Sequence, residues 1–387
     1  MPPETEWLNQ LIAALQTVQA GGLRLLDALG LVRPLDGQPA WPFALRLSGE
    51  NLLIDLGQAR RLGWALGALA LAVLLVLLAW LWRRARWPLL VAVPVLLLAA
   101  PWPDARVLLV PATPASFHRS PTGFSAQAIV QGQALYAQHC LACHGGDGRG
   151  QGPLAAAQPV WPPNFAGPLL WRRADGDLWW HVLHGVRGRS GQATMPGFAD
   201  RLRSEEVWAL IDFMKAQGAG QALRAAGFWP QPVGLPDVAV HCVGQAQRPL
   251  RSWVGQRLRV VAEGQGAATV LEDPRFVTVL LRPAAASASA SASAIACVAA
   301  DDAAWRAFAL VTGNEALAGT QLLADRAGWA RARALPGQAG WSEDDLLCRT
   351  EGQPRGVQGR TPVDGLSALI AAMDAEPVRY VKGGFVH

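Results

Sequence analysis

Between Leu62 and Trp82 the chain reads LGWALGALALAVLLVLLAWLW, with no charged side chain. At ~1.5 Å rise per residue, a helix over that run is about 30 Å long, the thickness of a bilayer's hydrocarbon core, so the pattern predicts a membrane-spanning helix rather than a buried core helix. Arg83, Arg84 and Arg86 follow, and then a shorter apolar run from Trp87 to Ala100 that carries Pro88 and Pro94. The prolines predict a kinked second span. Arginines clustered between two spans mark the cytoplasmic side. Residues 62–103 therefore read as a transmembrane helical hairpin, with residues 1–61 an N-terminal extracytoplasmic tail and everything after about residue 103 also outside. Arg60 and Arg61 pull the other way. A cleavable signal peptide does not fit an apolar run that begins about sixty residues in.

Past the second run, PWPDARVLLVPATPASFHRSPTGFS is rich in Pro, Ser and Thr and predicts an extended linker over 104–123. Helical periodicity resumes near Ala126 and again over SEEVWALIDFMKAQ (204–217), where Ser204 is a candidate N-cap, Glu205 and Glu206 suit the first turn, and Val207, Leu210, Ile211 and Met214 form an apolar stripe. Gly and Pro return in 221–237, which reads as a second linker. Beyond it RLRVVA (257–262), RFVTVLL (275–281) and AIACVAA (294–300) predict strands, with a low-complexity Ala/Ser loop before the last. Asp301 then caps a helix carrying Trp305, Phe308 and Leu310, and residues 320–337 predict two strands around a turn at Asp325 to Gly328. The chain is thus multi-domain: hairpin, a helical unit over 124–220, and an α/β unit over 238–387.

Hydrophobic residues make up 51% of the 387 and charged residues 16%, in keeping with a membrane protein. The net charge of +5 does not mark a nucleic-acid partner. Residues 1–123 hold ten basic and seven acidic side chains, against eight and seven in 124–220 and sixteen and fifteen in 221–387, so the excess sits mostly around the arginine turn. Lys215 and Lys382 are the only lysines, so a docking face built from a lysine ring is absent.

The chemistry is concentrated in Cys140-Leu141-Ala142-Cys143-His144. Two residues between the cysteines let both thiols reach the two vinyl groups of one haem, and the adjacent histidine then meets the iron as an axial ligand. A zinc knuckle would need two more ligands, for which His181 and His184 are the nearby pair; a thioredoxin-type redox pair needs no following histidine and a preceding strand, whereas these flanks look helical. For the sixth iron position, Met195 in GQATMPGFAD is favoured, because Met1 is the start, Met214 belongs to the helical stripe and Met373 lies far along the chain. His181, His184 or an open position are the alternatives. A thioether raises the reduction potential relative to bis-histidine ligation.

Gly132, Tyr136, Cys140, Cys143, His144, Met195-Pro196-Gly197 and the last helix with Trp208 and Phe213 resemble the small single-haem bacterial cytochrome c domain. The resemblance implies an all-α fold in which the first and last helices cross, one haem c, and a proline carbonyl supporting the histidine; Pro162 or Pro163 of WPPNF is the candidate. Trp161, Phe165, Trp171, Trp179 and Trp180 can wall the macrocycle. LLVPATPASFHRSPTGFS running into such a domain is similar to bacterial membrane proteins in which a copper-resistance D type region precedes a haem domain, although those carry more transmembrane helices and this chain has no Met-rich or His-rich run. The 238–387 unit resembles the thioredoxin-like fold without a C-x-x-C. Its Cys242, Cys297 and Cys348 are isolated, and in an oxidising compartment two of them can pair.

These resemblances imply an electron carrier in the bacterial inner membrane, not an enzyme, with its haem and C-terminal units in the periplasm and redox proteins as partners. The alternatives are the haem subunit of a respiratory oxidase or dehydrogenase, and a copper-homeostasis or redox sensor protein.

Overall fold

The computed structural model describes residues 6–48, 51–52, 55–167, 170, 173–264, 272–285, 296–338, 340–348, 365–381 and 384–386. Helix α1 (Glu6–Ala28) is followed by the small hairpin β1 (Pro34–Leu35) and β2 (Gln38–Pro39) and by strand β3 (Leu45–Leu47). Two apolar helices come next. Helix α2 (Leu56–Leu81) is capped by Asp55, whose side chain accepts from the Gln58 amide at 3.1 Å, and it is long and apolar enough to cross a membrane. Helix α3 (Arg86–Ala99) packs on α2, contains Pro94 and has only 14 residues.

The segments before and after this pair meet. Gln58 Oε1 accepts from the Asp104 amide at 2.8 Å. Helix α4 (Ala105–Leu108) leads into β4 (Leu109–Pro111), which pairs antiparallel with β3. The Pro/Ser/Thr segment expected to be an extended linker is therefore held in place, and its Ala115, Ser116 and His118 are buried. Asp177 is the reason: its carboxylate accepts from Ser116 at 2.5 Å and Thr113 at 2.9 Å and pairs with Arg46 at 3.4 Å. Ser and Thr read as loop residues locally, yet their hydroxyls are the donors that a buried carboxylate requires. The expected N-terminal tail likewise folds onto the later chain.

The helical unit contains α5 (Ala126–His139), the single turn α6 (Leu141–His144), α7 (Asp175–His184), the short strands β5 (Val186–Arg187) and β6 (Ala193–Met195), and α8 (Ser204–Ala226). Ser125 caps α5 through the Ala128 amide. Ser204 is not the cap of α8. The helix begins one residue earlier than that reading requires, because Glu206 reaches back to the Arg203 amide at 2.8 Å and makes Arg203 the cap. α5 and α8 cross at Gly132, where an added Cβ would lie 2.1 Å from the Ala209 carbonyl oxygen. Helix α8 also runs through the first part of the expected second linker. Its last turns, with Ala216, Ala219 and Leu223 buried, join the core of the C-terminal unit, because Gly220 lets the Leu310 backbone approach: a Cβ there would sit 1.9 Å from that carbonyl.

That C-terminal unit is a mixed seven-stranded sheet built from β7 (Ala239–Cys242), β8 (Arg248–Pro249), β9 (Leu258–Ala262), β10 (Val277–Arg282), β11 (Cys297–Ala300), β12 (Gln321–Ala324) and β13 (Ala330–Ala334), in the order β13-β12-β9-β10-β11-β7-β8. β9, β10 and β11 are parallel neighbours and the other pairings are antiparallel. The connections β9–β10 and β10–β11 pass through 265–271 and 286–295, so the crossovers that would define a thioredoxin-like unit, and most of the Ala/Ser loop, lie outside the described residues. Helix α9 (Asp302–Thr312), capped by Asp301, packs against α5 and α8, and α10 (Gly365–Ala375) covers Leu323 and Ala332 together with Phe276. Cys242 and Cys297, opposite each other on β7 and β11, form a disulfide, and Cys348 is buried as a thiol.

Two measurements follow from this packing. Gly132→Ala drives a methyl into the Ala209 carbonyl and should cost about 1–3 kcal/mol in denaturant unfolding, whereas Gly21→Ala on α1, with nothing within 4 Å of the new Cβ, should be neutral or slightly stabilising. Asp212 on α8 accepts from Thr122, and burial raises its carboxyl to about 7 against the opposing pull of Thr122 and Lys215. A raised carboxyl contributes stability that is present below its unfolded value of roughly 3.9 and is lost as the pH rises through the folded value. Asp212→Asn should therefore flatten the stability curve between about pH 4 and 8 and leave the variant more stable relative to wild type at the upper end.

Candidate haem site

The C-x-x-C-H run straddles the end of one helix and one further turn. Cys140 closes α5, its amide bonded to the Tyr136 carbonyl at 2.9 Å, and the α6 turn places His144 four residues on, with the His144 amide bonded to the Cys140 carbonyl at 2.9 Å. Gly145 (φ 78°) ends the turn in a conformation that a side chain would strain. Both cysteines are free and half-buried. Burial, with Cys143 second, pushes the Cys140 thiol up to about 12. A redox dithiol lowers the first cysteine instead, so the thioredoxin-pair reading loses ground.

Burial lowers the His144 pKa, against the smaller opposing pull of the Pro163 backbone carbonyl, and so favours the neutral imidazole. Neutral imidazole is the form that binds iron. The ring stacks on Phe165 with centroids 4.5 Å apart, and Nδ1 is buried without a hydrogen bond of ordinary geometry, leaving the Pro163 carbonyl as its looser acceptor. Of the two prolines expected to support this ring, Pro163 is the one whose carbonyl acts on it, while the carbonyls of both lie against Gly150, where an added Cβ would be 2.1 Å from Pro162 and 3.2 Å from Pro163.

The loop after His144 is clamped from both crossing helices. Tyr136 donates from its hydroxyl to the Gly145 carbonyl at 2.8 Å, and Gln217 donates from Nε2 to the Gly146 carbonyl at 2.6 Å. The Phe165 amide donates to the Gly148 carbonyl at 2.7 Å, which carries WPPNF against the same loop. Sequence reading singled out Tyr136 but missed Gln217. A lone polar residue at the end of an apolar stripe carries no signal that it caps a loop some seventy residues earlier.

Met195 stands at the end of β6, paired with Val186. Its loop is pinned to the end of α7: the Phe198 amide donates to the Val182 and Leu183 carbonyls at 3.0 Å, and glycines at 185 and 197 let the two backbones touch. Cys140 and Met195 both pack on one apolar cluster that includes Tyr136, Phe165, Trp179, Phe198, Trp208 and Phe213. Cys140, Met195 and, through Phe165, His144 thus meet a single apolar core. His181 and His184 point elsewhere in hydrogen bonding, their Nδ1 atoms tied to the Asp177 and Trp180 carbonyls of their own helix, and His184 is exposed and stacked on Trp180. Among the described residues no group of three His, Cys, Asp or Glu side chains could hold a metal ion by itself, which leaves the zinc reading without ligands. Of the aromatics expected to wall the site, Phe165 and Trp179 are buried in the cluster, Trp180 packs at its margin, Trp161 is exposed, and Trp171 lies outside the described residues.

These residues fit a covalently held haem: two free thiols, a histidine that burial biases toward its neutral form beside the Pro163 carbonyl, and an apolar wall. Comparison with known proteins agrees at the level of the family. Residues 127–214 match the family described as cytochrome C oxidase, cbb3-type, subunit III. This segment is a helical cytochrome c domain, and such domains transfer electrons through haem. A solved structure, the Kuenenia stuttgartiensis reducing HAO-like protein complex, is similar at 24% identity over 28% of this chain and 51% of that chain, with a TM-score of 0.23; the chain spans about half the length of that relative. No curated protein matches.

Tyr136→Phe and Gln217→Leu each strip a donor from a buried carbonyl of the loop. Each should cost about 1–2 kcal/mol in denaturant titration of the haem-loaded protein, and the double variant should lose less than the sum if the two clamps restrain the same loop.

Proposed function

We propose that the protein is a membrane-anchored c-type cytochrome that carries single electrons through one haem on the periplasmic side, attached to Cys140 and Cys143, with His144 and Met195 as axial ligands. The observation that carries the reading is the convergence of Cys140, His144 and Met195 on one apolar cluster within the cytochrome c segment. Bound there, a haem supplies an iron that changes charge by one. The chain's contribution is to keep everything else still. Pro163 and Phe165 hold the His144 ring, Tyr136 and Gln217 hold the loop behind it, and the end of α7 holds the Met195 loop. With His144 and Met195 both holding the iron, this fixed shell would leave little to rearrange on electron transfer, which would suit a shuttle rather than a catalyst.

Anchoring rests on α2, and its sidedness on the contacts around it. A ladder between β3 and β4, and the Gln58 to Asp104 bond, join chain on either side of the two apolar helices. Hydrogen bonds of this kind cannot form across a bilayer, so the chain leaves the membrane on the side where it entered, with Arg83, Arg84 and Arg86 at the far turn. The Cys242–Cys297 disulfide suits an oxidising compartment, and haem and C-terminal units share a core and therefore a side. The family's description as an oxidase subunit favours a second reading, in which the same carrier works inside a larger complex.

An optical redox titration of the detergent-solubilised protein, with and without carbon monoxide, tests the central claim. Wild type should be low-spin, with a positive midpoint and no carbon monoxide shift. Met195→Ala should bind carbon monoxide and lose at least about 0.1 V of potential, a fraction of the roughly 0.8 V that axial ligands span. A carbon monoxide shift in wild type, or a Met195→Ala spectrum identical to wild type, would sink the assignment of Met195.

A further inference from the structure

Helix α1 has three faces, and one of them, seated on α2 at its Trp7 end, is open to solvent from Val18 onward. Gln10, Thr17 and Arg24 recur every seven residues and are exposed, forming a polar stripe. Ile12 and Leu23 point to the protein; Ile12 is fully buried in a cluster with Leu52, Ala59 and Leu62, the last two on α2. The third stripe is apolar and open to solvent: Trp7 is 41% exposed, Val18 71%, Leu25 60% and Leu29 62%. Intervals of eleven, seven and four residues are close to three, two and one helical turns, so these side chains line up. Leu29 continues the line past the end of α1, its amide bonded to the Leu25 carbonyl at 3.0 Å.

A stripe of large apolar side chains in water is costly, so something covers it. Its position identifies the cover. Trp7, at one end, packs on Gly63 of α2, 2.9 Å from where a Cβ would be, and Gly63 lies inside the uncharged run beside Trp64, itself 71% exposed. The apolar stripe is thus continuous with the surface of α2 that faces lipid. The contacts of α1 with α2 fall at the beginning of that helix, around Ala59 to Leu66, next to Arg60 and Arg61, which is the level of the headgroups. Elsewhere α1 meets β2, the strand Arg379–Val381 and β3, where Gln19 exchanges two hydrogen bonds with Leu47, at 2.9 and 3.4 Å.

We propose that α1 is an interfacial helix that lies on the same leaflet surface where α2 enters, with Trp7, Val18, Leu25 and Leu29 sunk into the boundary between headgroups and acyl chains and Gln10, Thr17 and Arg24 turned to water. This goes beyond the haem reading but rests on the membrane anchoring by α2. A stripe without a lysine cluster binds by apolar burial, so it does not require anionic lipid. Because α1 bonds β3, β3 pairs β4, and Arg46 of β3 pairs with Asp177 of the cytochrome domain, a helix seated on the bilayer holds the haem unit against the membrane instead of letting it swing on a tether.

Spin labels on the full haem-loaded chain in phosphatidylcholine nanodiscs test this. The native cysteines do not interfere if Cys140 and Cys143 hold haem, since Cys242 and Cys297 are paired and Cys348 is buried. Single cysteines replace Val18, Leu25, Thr17 and, on α2, Leu74, and each label is relaxed by oxygen and by a water-soluble nickel chelate. The expected result is a deep Leu74 label, Val18 and Leu25 labels about 5–10 Å below the phosphates, and a Thr17 label open to the chelate. A deep Leu74 with Val18 and Leu25 as accessible to the chelate as Thr17 overturns the interfacial helix and leaves the anchor standing. Val18 and Leu25 shielded from both relaxers mean a protein cover, a second copy or a partner, and overturn it too. A Leu74 label open to the chelate removes the anchor, and the inference with it.

Discussion

The close approach of α8 to two other backbones is the constraint on which the rest of the molecule hangs. At Gly132 the α5 backbone lies against the Ala209 carbonyl, and at Gly220 α8 lies against the Leu310 carbonyl. A single helix therefore belongs to two cores. Its first turns bury Trp208, Ile211 and Phe213 in the haem-side cluster, and its last turns bury Ala216, Ala219 and Leu223 beneath the mixed sheet. Between them Gln217 reaches the loop behind His144. Movement of the C-terminal unit relative to the cytochrome domain would have to unpack this helix, so the two behave as one block.

The N-terminal part of the chain is attached to that block by charge and hydrogen bonds as well as by the apolar packing of Leu35 and Ala115. Asp177, in the first turn of α7, collects Arg46 from before the apolar helices and Thr113 and Ser116 from after them. A buried carboxylate with three donors is stable only while all are in place. Gly176 beside it is tight against the Ala115 carbonyl, where a Cβ would be 1.7 Å away, so the segment cannot slide without loss of that seat. The geometry turns what composition reads as a tether into a fixed mount for the haem-bearing unit.

Around the candidate haem the division of labour is clear in physical terms. Backbone carbonyls of Gly145, Gly146 and Gly148 are each taken by a donor from a different element, which immobilises a glycine-rich loop that would otherwise be the softest part of the site. The loop is held by neutral hydrogen bonds to its main chain, and the Arg149–Asp147 ion pair in the same loop is partly exposed.

Much of this was legible in the residues. The uncharged run over 62–82 could be little other than a long apolar helix, because length and composition alone decide it. The C-x-x-C-H spacing names its own chemistry, since covalent attachment dictates the interval, and the strands at β9 to β13 with Asp301 as a cap follow from local alternation and capping. Contacts distant in sequence were not legible. That Pro163 rather than Pro162 meets His144, that Gln217 clamps Gly146, that the Ser/Thr-rich stretch is seated on Asp177, and that Cys242 chooses Cys297 all depend on which surfaces the folded chain brings together. The sequence by itself determined the long apolar helix, the helices around C-x-x-C-H, the strands β9 to β13 and the haem chemistry, because these rest on periods and spacings of a few residues, while α1 and the strands of the N-terminal segment were not read from it. Only the tertiary structure decided the supports of the site and the mounting of the domains, because hydrogen-bond partners and backbone approaches across seventy or more residues leave no local pattern to read.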